Sequence, residues 1–240
     1  MPRTKIVATI GPASDSEEVL TGLFAAGVDV CRLGLAHGTI DEHRTRIATI
    51  RSVAAAMGRE LAILGDLPGP KIRMGAVEDD AGLFLSEGLE LQVRSGVAPT
   101  TSTEIWVDYP HLVEDVDPDT TLVLGDGNVR LRVVSVADDH LLVRVVHGGR
   151  IQGRPGVTIP STRLRVSVPT QQDITLIDAL APDLDFVAAS FVRSASEVEA
   201  IKARAGGTAV VAKIETKAAV EALDDIVNMS DAVMVARGDL

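Results

Sequence analysis

Two apolar runs decide the fold: Val210-Val-Ala-Lys-Ile-Glu-Thr216 and Ala232-Val-Met-Val-Ala-Arg-Gly-Asp-Leu240. Each is typical of a buried strand, and the second ends in a loop-forming Gly-Asp pair. In the first run, Lys213 and Glu215 are two residues apart, so an extended backbone points both side chains to one face. In barrels of alternating strands and helices, active sites are built at the carboxyl ends of the strands. A lysine beside carboxylates there indicates a divalent metal and an anionic substrate, although a buried ion pair with a turn aspartate fits the pattern as well.

The composition is that of an ordinary globular chain of 240 residues, with 46% hydrophobic and 24% charged residues. Aromatic residues make up 2% of the chain and the net charge is −11, which argues against a nucleic-acid partner. No apolar run is long enough for a membrane helix, and the first apolar stretch is too short for a signal peptide. The single Cys31 lies in an apolar run and excludes an intrachain disulfide. We therefore expect a cytoplasmic protein with an inert core cysteine and no membrane partner.

Strands and helices alternate at both ends of the sequence. Strand patterns occupy 5–10, 28–33, 61–64, 185–189, 209–214 and 232–235, and helical patterns occupy 15–27, 41–57, 171–180, 195–204 and 218–227. This rhythm predicts parallel β-α units joined by right-handed crossovers. We expect an α/β protein with a (β/α)8-type TIM barrel, of which six strands are present. Outside the intervening segment only about 145 residues remain, fewer than the roughly 200 to 250 that eight strands need.

The intervening segment, 71–165, has a different pattern of secondary-structure signals. It holds no convincing helix, and its clearest strands are 83–85, 89–93, 121–124, 129–134 and 141–146. Turn signals lie at Gly125-Asp-Gly127, Asp138-Asp139 and Gly148-Gly149. We therefore predict three segments: a first part of the barrel at 1–70, an inserted all-β domain at 71–165, and a second part of the barrel at 166–240.

Several motifs, taken in order along the chain, resemble the pyruvate kinase family. They are Thr4-Lys-Ile-Val-Ala-Thr-Ile-Gly-Pro-Ala-Ser14, Arg32 with His37-Gly38, Asp66 with Gly69-Pro70 and Ile72-Arg73, Gly156-Val157 with Pro160, Ala189-Ser-Phe-Val-Arg193, Ala212-Lys-Ile-Glu215 and Met234-Val-Ala-Arg-Gly-Asp-Leu240. The β insert stands where the family has its lid domain. The resemblance implies phosphoryl transfer from phosphoenolpyruvate to ADP in glycolysis, giving pyruvate and ATP. It also implies Mg²⁺, or Mn²⁺, as cofactor and a homo-oligomeric assembly.

The resemblance assigns roles to the residues of the two opening runs. Lys213 corresponds to the lysine that bridges the transferring phosphoryl group and stabilises its charge. Arg32 corresponds to the arginine on the phosphate, where a planar fork suits a phosphoryl group. Glu215 and Asp239 match the two magnesium carboxylates. Gly238 and Asp239 match the site for the substrate carboxylate.

Further correspondences concern the nucleotide and the insert. His37 and Arg73 match nucleotide contacts of the family. Asp126 matches a residue of the lid. The lysine that the family has before Gly-Val falls on Pro155, with Arg154 beside it as a substitute.

The monovalent-cation region departs from the family pattern. The usual Asn and Ser before His-Gly are Gly34 and Ala36, and the Thr that usually follows the aspartate is Leu67. Asp66 is therefore the one usual potassium ligand that remains. Lys71 stands where the family commonly has glutamate, as in members that work without potassium because a fixed ammonium replaces the ion. We expect that potassium is not required.

Three functions remain open at this level. The first is an active pyruvate kinase, of which this is a part or a shortened form; it is favoured by Lys213, Glu215, Asp239 and Arg32. The second is a degenerate, non-catalytic relative that binds a phosphorylated ligand, favoured by Gly34, Ala36 and the early stop. The third is another Mg²⁺-dependent barrel that makes or breaks carbon-carbon bonds, which the insert disfavours. With six barrel strands, the first and sixth would be unpaired edges, so either the natural chain continues or two chains pair to bury them. We expect this span alone to be marginal, aggregation-prone or dimeric.

Overall fold

A computed structural model describes residues 4–125, 127, 129–159 and 164–237. The chain divides into two compact units. The first, called the α/β unit, comprises the described residues up to Pro70 and from Ser167 onward. The second, called the β unit, comprises the described residues from Lys71 to Val166. Among the described residues, no helix combines the length and the apolar character needed to cross a membrane.

The described elements are numbered in chain order. The strands are β1 (Val7–Thr9), β2 (Val30–Gly34), β3 (Ala62–Asp66), β4 (Leu83–Leu85), β5 (Glu90–Ser95), β6 (Glu104–Val107), β7 (Thr121–Leu124), β8 (Val129–Val136), β9 (His140–His147), β10 (Gly149–Ile151), β11 (Val157–Thr158), β12 (Phe186–Ala189), β13 (Ala209–Ile214) and β14 (Ala232–Val235). The helices are α1 (Glu17–Ala25), α2 (Ile40–Ala56), α3 (Leu112–Asp115), α4 (Gln171–Leu180), α5 (Ala195–Arg204), α6 (Lys217–Glu221) and α7 (Leu223–Met229), with a 3₁₀ turn at Ala181–Asp183.

The α/β unit is built on one six-stranded sheet in the order β1-β2-β3-β12-β13-β14. Every neighbouring pair in this sheet is parallel. The predicted α/β class with parallel β-α units is therefore confirmed, whereas completion of an eight-stranded barrel stays a prediction. On one face, Leu64, Ala188 and Val211 form a small apolar cluster. A much larger core, which includes Cys31, lies in the same unit.

Side-chain caps explain where the longer helices of the α/β unit begin. Ser16 and Ser194 accept hydrogen bonds from backbone amides at the starts of α1 and α5. Thr39 with Glu42, and Thr170 with Asp173, form reciprocal capping boxes at the starts of α2 and α4. Each cap provides an acceptor for an amide that has no partner within its own helix. The sequence therefore encodes these helix starts locally.

The structure corrects three local predictions. The helix expected at 218–227 is two helices, α6 and α7, because Ala222 leaves the helical region with φ −102° and ψ 22°. The segment expected to lack helix contains the four-residue α3. Gly149, expected in a turn, begins β10, which pairs antiparallel with β4.

The β unit has a six-stranded sheet in the order β11-β7-β8-β9-β5-β6 and a two-stranded sheet of β10 and β4. All pairs in the larger sheet are antiparallel except β5 with β6. Alternate residues of β8 and β9 are buried, as expected for strands that cover a core with one face. This unit has its own hydrophobic core, and the single Trp106 lies on β6 beside Gly96.

A hydrogen-bonded cluster fastens the end of the β unit. The hydroxyl of Tyr109 donates to the buried carboxylate of Asp115. Arg165 donates from Nη2 to Asp115 Oδ1 at 2.8 Å and from its backbone amide to the Tyr109 oxygen at 2.8 Å. The Arg165 guanidinium is the main reason that the pKa of Asp115 falls to about 2. The carboxylate is therefore held ionised by its partners in the folded unit.

Candidate active site

Four polar side chains, which form the candidate site, lie toward the carboxyl ends of neighbouring parallel strands. Arg32 is in β2, Asp66 is the last residue of β3, Ser190 follows β12, and Lys213 is the penultimate residue of β13. The register pairs Asp66 with Ala188 of β12, and Ala189 with Ala212 of β13. Parallel pairing therefore brings these ends to one edge of the sheet, where barrels of this class build their active sites.

Asp66 is the centre of this cluster, and its side chain is only 4% exposed. Its Oδ2 accepts a 2.8 Å hydrogen bond from Nε of Arg32 and a second bond from Nη2. Its Oδ1 lies 3.3 Å from the ammonium nitrogen of Lys213. Burying a carboxylate is costly unless it is paired and hydrogen-bonded, and two cations meet that requirement here. The pairing holds both cations at the sheet edge.

Lys213 is held between two carboxylates, with its side chain 11% exposed. Its Nζ lies 3.2 Å from Oε2 of Glu215 and donates a 2.8 Å hydrogen bond to Oγ of Ser190. The Ser190 hydroxyl in turn donates to the backbone oxygen of Leu67 at 2.7 Å. The ammonium thus has three partners, which hold it at the edge of the sheet.

Glu215 has a side-chain exposure of 0% and follows β13 directly. Its Oε1 accepts a 2.6 Å hydrogen bond from the backbone amide of Phe191. Phe191 has φ 58°, which is uncommon for a residue with a β-carbon and is a feature often found at functional sites. The turn after β12 therefore supports both Lys213, through Ser190, and Glu215, through Phe191.

Arg32 retains unused donors after its contacts within the cluster. Its Nη1 donates to Oγ1 of Thr9 at 2.8 Å, in addition to the two bonds to Asp66. A guanidinium group has five N–H donors, so two remain for another acceptor. Two N–H groups on adjacent nitrogens suit a phosphate, which accepts bidentate bonds from arginine.

The donor set agrees with a Mg²⁺ site that takes part of its ligands from outside the protein. Within the described residues, no group of three His, Cys, Asp or Glu side chains could hold a metal. Mg²⁺ is commonly bound by one or two carboxylates with water and substrate phosphates as its other ligands. Glu215 provides one such carboxylate beside the cationic cluster. The second predicted ligand, Asp239, and the substrate-site Gly238 lie outside the described residues.

The other predicted site residues lie in the loop after β2 or in the β unit. His37 is exposed in the loop between β2 and α2. Arg73 forms an antiparallel bridge with Gly156, and its Nη1 donates to the backbone oxygen of Arg154 at 3.3 Å. The Cε of Lys71 is so close to Gly156 that a β-carbon there would lie 2.9 Å away. The predicted lid residue Asp126 and the motif residue Pro160 lie outside the described residues.

The three departures in the cation region have clear structural settings. Gly34 ends β2 opposite Asp66, and a β-carbon added to it would meet nothing within 4 Å. Ala36 is exposed, whereas Leu67 is buried in the core of the α/β unit. None of the three has a side-chain oxygen, so any side-chain ligands that these positions give relatives are missing from this chain.

Comparisons with known proteins agree on one family. The family model described as "Pyruvate kinase, barrel domain" matches residues 1–240. The chain is 40% identical to a pyruvate kinase of Methylorubrum extorquens over 99% of this chain and 50% of that protein. It is 39% identical to a pyruvate kinase of Agrobacterium vitis and 37% identical to one of Thermococcus litoralis, each over 99% of this chain and 51% of the relative. The chain spans about half the length of these curated relatives. It belongs to the pyruvate kinase family.

Proposed function

We propose that this chain forms part of a pyruvate kinase, which transfers a phosphoryl group from phosphoenolpyruvate to ADP and yields pyruvate and ATP. The observation that carries the proposal is the nearly buried ammonium of Lys213, held between Asp66 and Glu215 at the edge of a parallel sheet. Arg32 adds a second cation with unused donors. Such a constellation suits an anionic phosphoryl donor, as the resemblance implies.

Lys213 and Arg32 divide the work on the phosphoryl group. The two remaining N–H groups of Arg32 bind phosphate oxygens and orient the substrate, because the bonds to Asp66 and Thr9 fix the plane of the guanidinium. Lys213 lies 3.2 and 3.3 Å from its carboxylates, farther than the roughly 2.7–2.9 Å of strong charge-assisted bonds. Its ammonium can therefore turn toward an incoming phosphoryl group and stabilise the charge spread over the transferring oxygens.

Glu215 is the proposed Mg²⁺ ligand in the described residues, with Asp239 as the second, and Gly238 and Asp239 as the site for the substrate carboxylate. When bound, Mg²⁺ supplies positive charge that neutralises the phosphoryl oxygens during transfer. The hydrogen bond from Phe191 to Oε1 fixes the Glu215 carboxylate. A fixed carboxylate does not have to reorganise when the cation arrives.

We further propose that the β unit is the lid domain, that His37 and Arg73 contact the nucleotide, and that the assembly is a homo-oligomer. Potassium is not required in this proposal. Gly34, Ala36 and Leu67 supply no side-chain oxygen, and Lys71 supplies a permanent charge in place of the ion. The support for these roles is the family membership together with the residue types at these positions.

The proposal is tested by measuring pyruvate formation from phosphoenolpyruvate and ADP with Mg²⁺, using the purified protein and a Lys213→Gln variant. We expect pyruvate formation with the natural chain and its loss in the variant, because the variant cannot stabilise the transferring group. Removing Lys213 leaves two buried carboxylates with less compensation, so thermal unfolding of both proteins is measured in parallel.

Calorimetric titration with phosphoenolpyruvate separates the two candidate functions. Binding without pyruvate formation would favour the non-catalytic relative, for which Gly34 and Ala36 are the supporting observation. A folded protein that showed neither binding nor turnover would overturn both candidate functions. Equal turnover by a folded Lys213→Gln variant would remove Lys213 from the mechanism.

A further inference from the structure

The chain passes between its two compact units along two segments. One leaves the α/β unit after β3, through Leu67-Pro-Gly-Pro70, and the other re-enters it at Ser167-Val-Pro-Thr170, directly before α4. All residues of both segments belong to the α/β unit. A single side chain, that of Asp173 in the first turn of α4, is hydrogen-bonded to both of them.

Asp173 is buried, and its carboxylate accepts three hydrogen bonds. Its Oδ1 accepts a 3.0 Å hydrogen bond from the backbone amide of Gly69. Its Oδ2 accepts bonds from the backbone amide and the hydroxyl of Thr170, at 2.8 and 2.7 Å. The residue is only 1% exposed. A buried carboxylate is retained at a cost, and three donors from the two connecting segments compensate for it.

A second capping box in the same unit shows what helix capping alone requires. At the start of α2, Glu42 accepts a 2.6 Å hydrogen bond from the backbone amide of Thr39, and Glu42 is exposed. Its hydrogen bonds therefore serve only its own helix start. Asp173 does the same for α4 and in addition holds Gly69, a residue that precedes it by 104 positions. The bond to Gly69 and the burial go beyond capping.

Gly69 connects this joint to the candidate active site. It has φ 61°, and a β-carbon on it would lie 2.9 Å from Cδ2 of Phe191 and 3.0 Å from the carbonyl oxygen of Ser190. The backbone of Gly69 is thus packed directly against the turn after β12. That turn donates to Glu215 through Phe191 and accepts from Lys213 through Ser190.

We propose that Asp173 is a positioning residue that ties both connections of the β unit together and locks them against the turn that supports Lys213 and Glu215. The two connections then open as one joint, and their opening loosens the support of both site residues. The joint itself follows from contacts in the α/β unit, and its consequence for catalysis rests on the proposed function.

Two variants distinguish the joint from a helix cap. Asp173→Asn replaces one carboxylate oxygen by a donor that faces an N–H group, so at least one connection loses its bond and the other loses its charge-assisted character. Thr170→Val is the matched control, because it removes the hydroxyl that caps α4 but leaves both backbone amides facing the carboxylate.

Amide hydrogen exchange, read by NMR at Gly69 and Thr170, tests the joint without any assay of activity. We expect Asp173→Asn to accelerate exchange at both amides by about tenfold or more, as for a lost bond to a charged group. We expect Thr170→Val to accelerate exchange at the Asp173 amide, whose acceptor is the Thr170 hydroxyl, and to leave Gly69 within about threefold, since the acceptor of Gly69 is intact. An Asp173→Asn protein in which only the Thr170 amide is affected would overturn the proposal, because Asp173 would then be a cap alone.

The natural chain provides a test that does not depend on how well the variant folds. If the two connections form one joint, the Gly69 and Thr170 amides open in the same event, and their protection factors fall in parallel as denaturant is raised. Protection that falls independently at the two amides would contradict a joint. Mn²⁺ affinity, measured on the natural chain and on Asp173→Asn, then reports whether loosening of the joint also weakens ion binding at Glu215. A joint seen by exchange in a protein without pyruvate formation would leave the inference standing while the proposed function fails.

Discussion

Nε of Arg32 lies 2.8 Å from Oδ2 of Asp66, so a residue of β2 is oriented by the last residue of β3. Nη1 of the same side chain donates to Thr9 on β1 at 2.8 Å. Three strands therefore fix the plane of one guanidinium group. Only a planar fork can satisfy both partners and keep two N–H groups for a ligand. A lysine at this position would carry the same charge but could not make these contacts and keep two N–H groups for a ligand.

Replacing Arg32 by lysine keeps the charge and removes the fork. We expect the affinity for phosphoenolpyruvate to fall by about tenfold or more, since a bidentate phosphate contact is lost. The matched control is Arg46→Lys, because Arg46 also donates two hydrogen bonds to one aspartate, Asp15, outside the cluster. Calorimetric titration of the three proteins is the measurement. Equal affinity in all of them would exclude Arg32 from substrate binding.

Replacing Glu215 by glutamine removes the charge of the proposed metal ligand. We expect Mn²⁺ binding, followed by electron paramagnetic resonance, to weaken by at least about tenfold, because hard cations prefer carboxylate oxygens. The matched control is Glu221→Gln, since Glu221 is exposed and pairs only across 3.6 Å with Lys217. Unchanged Mn²⁺ affinity in the Glu215 variant would show that Glu215 is not a metal ligand.

Much of the fold could be predicted because its signals are local. The strands at 209–214 and 232–235 and the helices at 171–180 and 195–204 begin and end where the apolar periods and capping residues indicate. The break at Ala222 could not be predicted, because alanine favours helix and no glycine or proline marks the site. The strand β11 could not be predicted either, since two residues paired with β7 leave no periodic pattern.

The role of potassium can be tested at two positions. We expect the rate of pyruvate formation to be unchanged when potassium replaces sodium at matched ionic strength. In Lys71→Glu we expect a rate that rises severalfold with potassium, because the fixed positive charge is gone. Adding Gly34→Asn restores an amide oxygen where a β-carbon meets nothing within 4 Å, and should strengthen that response.

The control for this series is Lys217→Glu, an exposed lysine whose ion pair with Glu221 spans 3.6 Å. It carries the same change of charge as Lys71→Glu, and we expect no response to potassium. A natural chain that is strongly stimulated by potassium would refute the interpretation of Lys71.

The contacts of Asp115 with Tyr109 and Arg165 predict that the protein loses stability in acid. The pKa of Asp115 in the folded unit is about 2, below its ordinary value of 3.8. A carboxylate with a lowered pKa stabilises the folded state above the ordinary value, and this contribution is lost as the pH falls from about 4 through about 2. We expect Asp115→Asn to cost about 2 kcal/mol at pH 7, as for hydrogen bonds to a charged group. Denaturant unfolding at several pH values should show the difference between the two proteins shrinking across that window. A difference that does not depend on pH would contradict the role of the charge.

The candidate site could be predicted in part. The period of two residues places Lys213 and Glu215 on one face, and their atoms lie 3.2 Å apart. No local signal marks the roles of Ser190 and Asp173, although Ser190 belongs to a motif that the sequence displays. Their roles depend on contacts between segments that are 23 and 104 residues apart in the chain, and no local pattern encodes such contacts.

Cys31 and Trp106 each occur once in the chain, and they lie in different compact units. Cys31 is fully buried in the α/β unit, and burial raises the pKa of its thiol to about 11. Trp106 lies in the β unit, with its indole N–H 3.2 Å from Glu104. Thiol labelling therefore reports when the α/β unit opens, and indole fluorescence reports when the β unit opens. The natural sequence thus carries its own pair of separate unfolding reporters, and a new surface cysteine would take up a label without competition from a second exposed thiol.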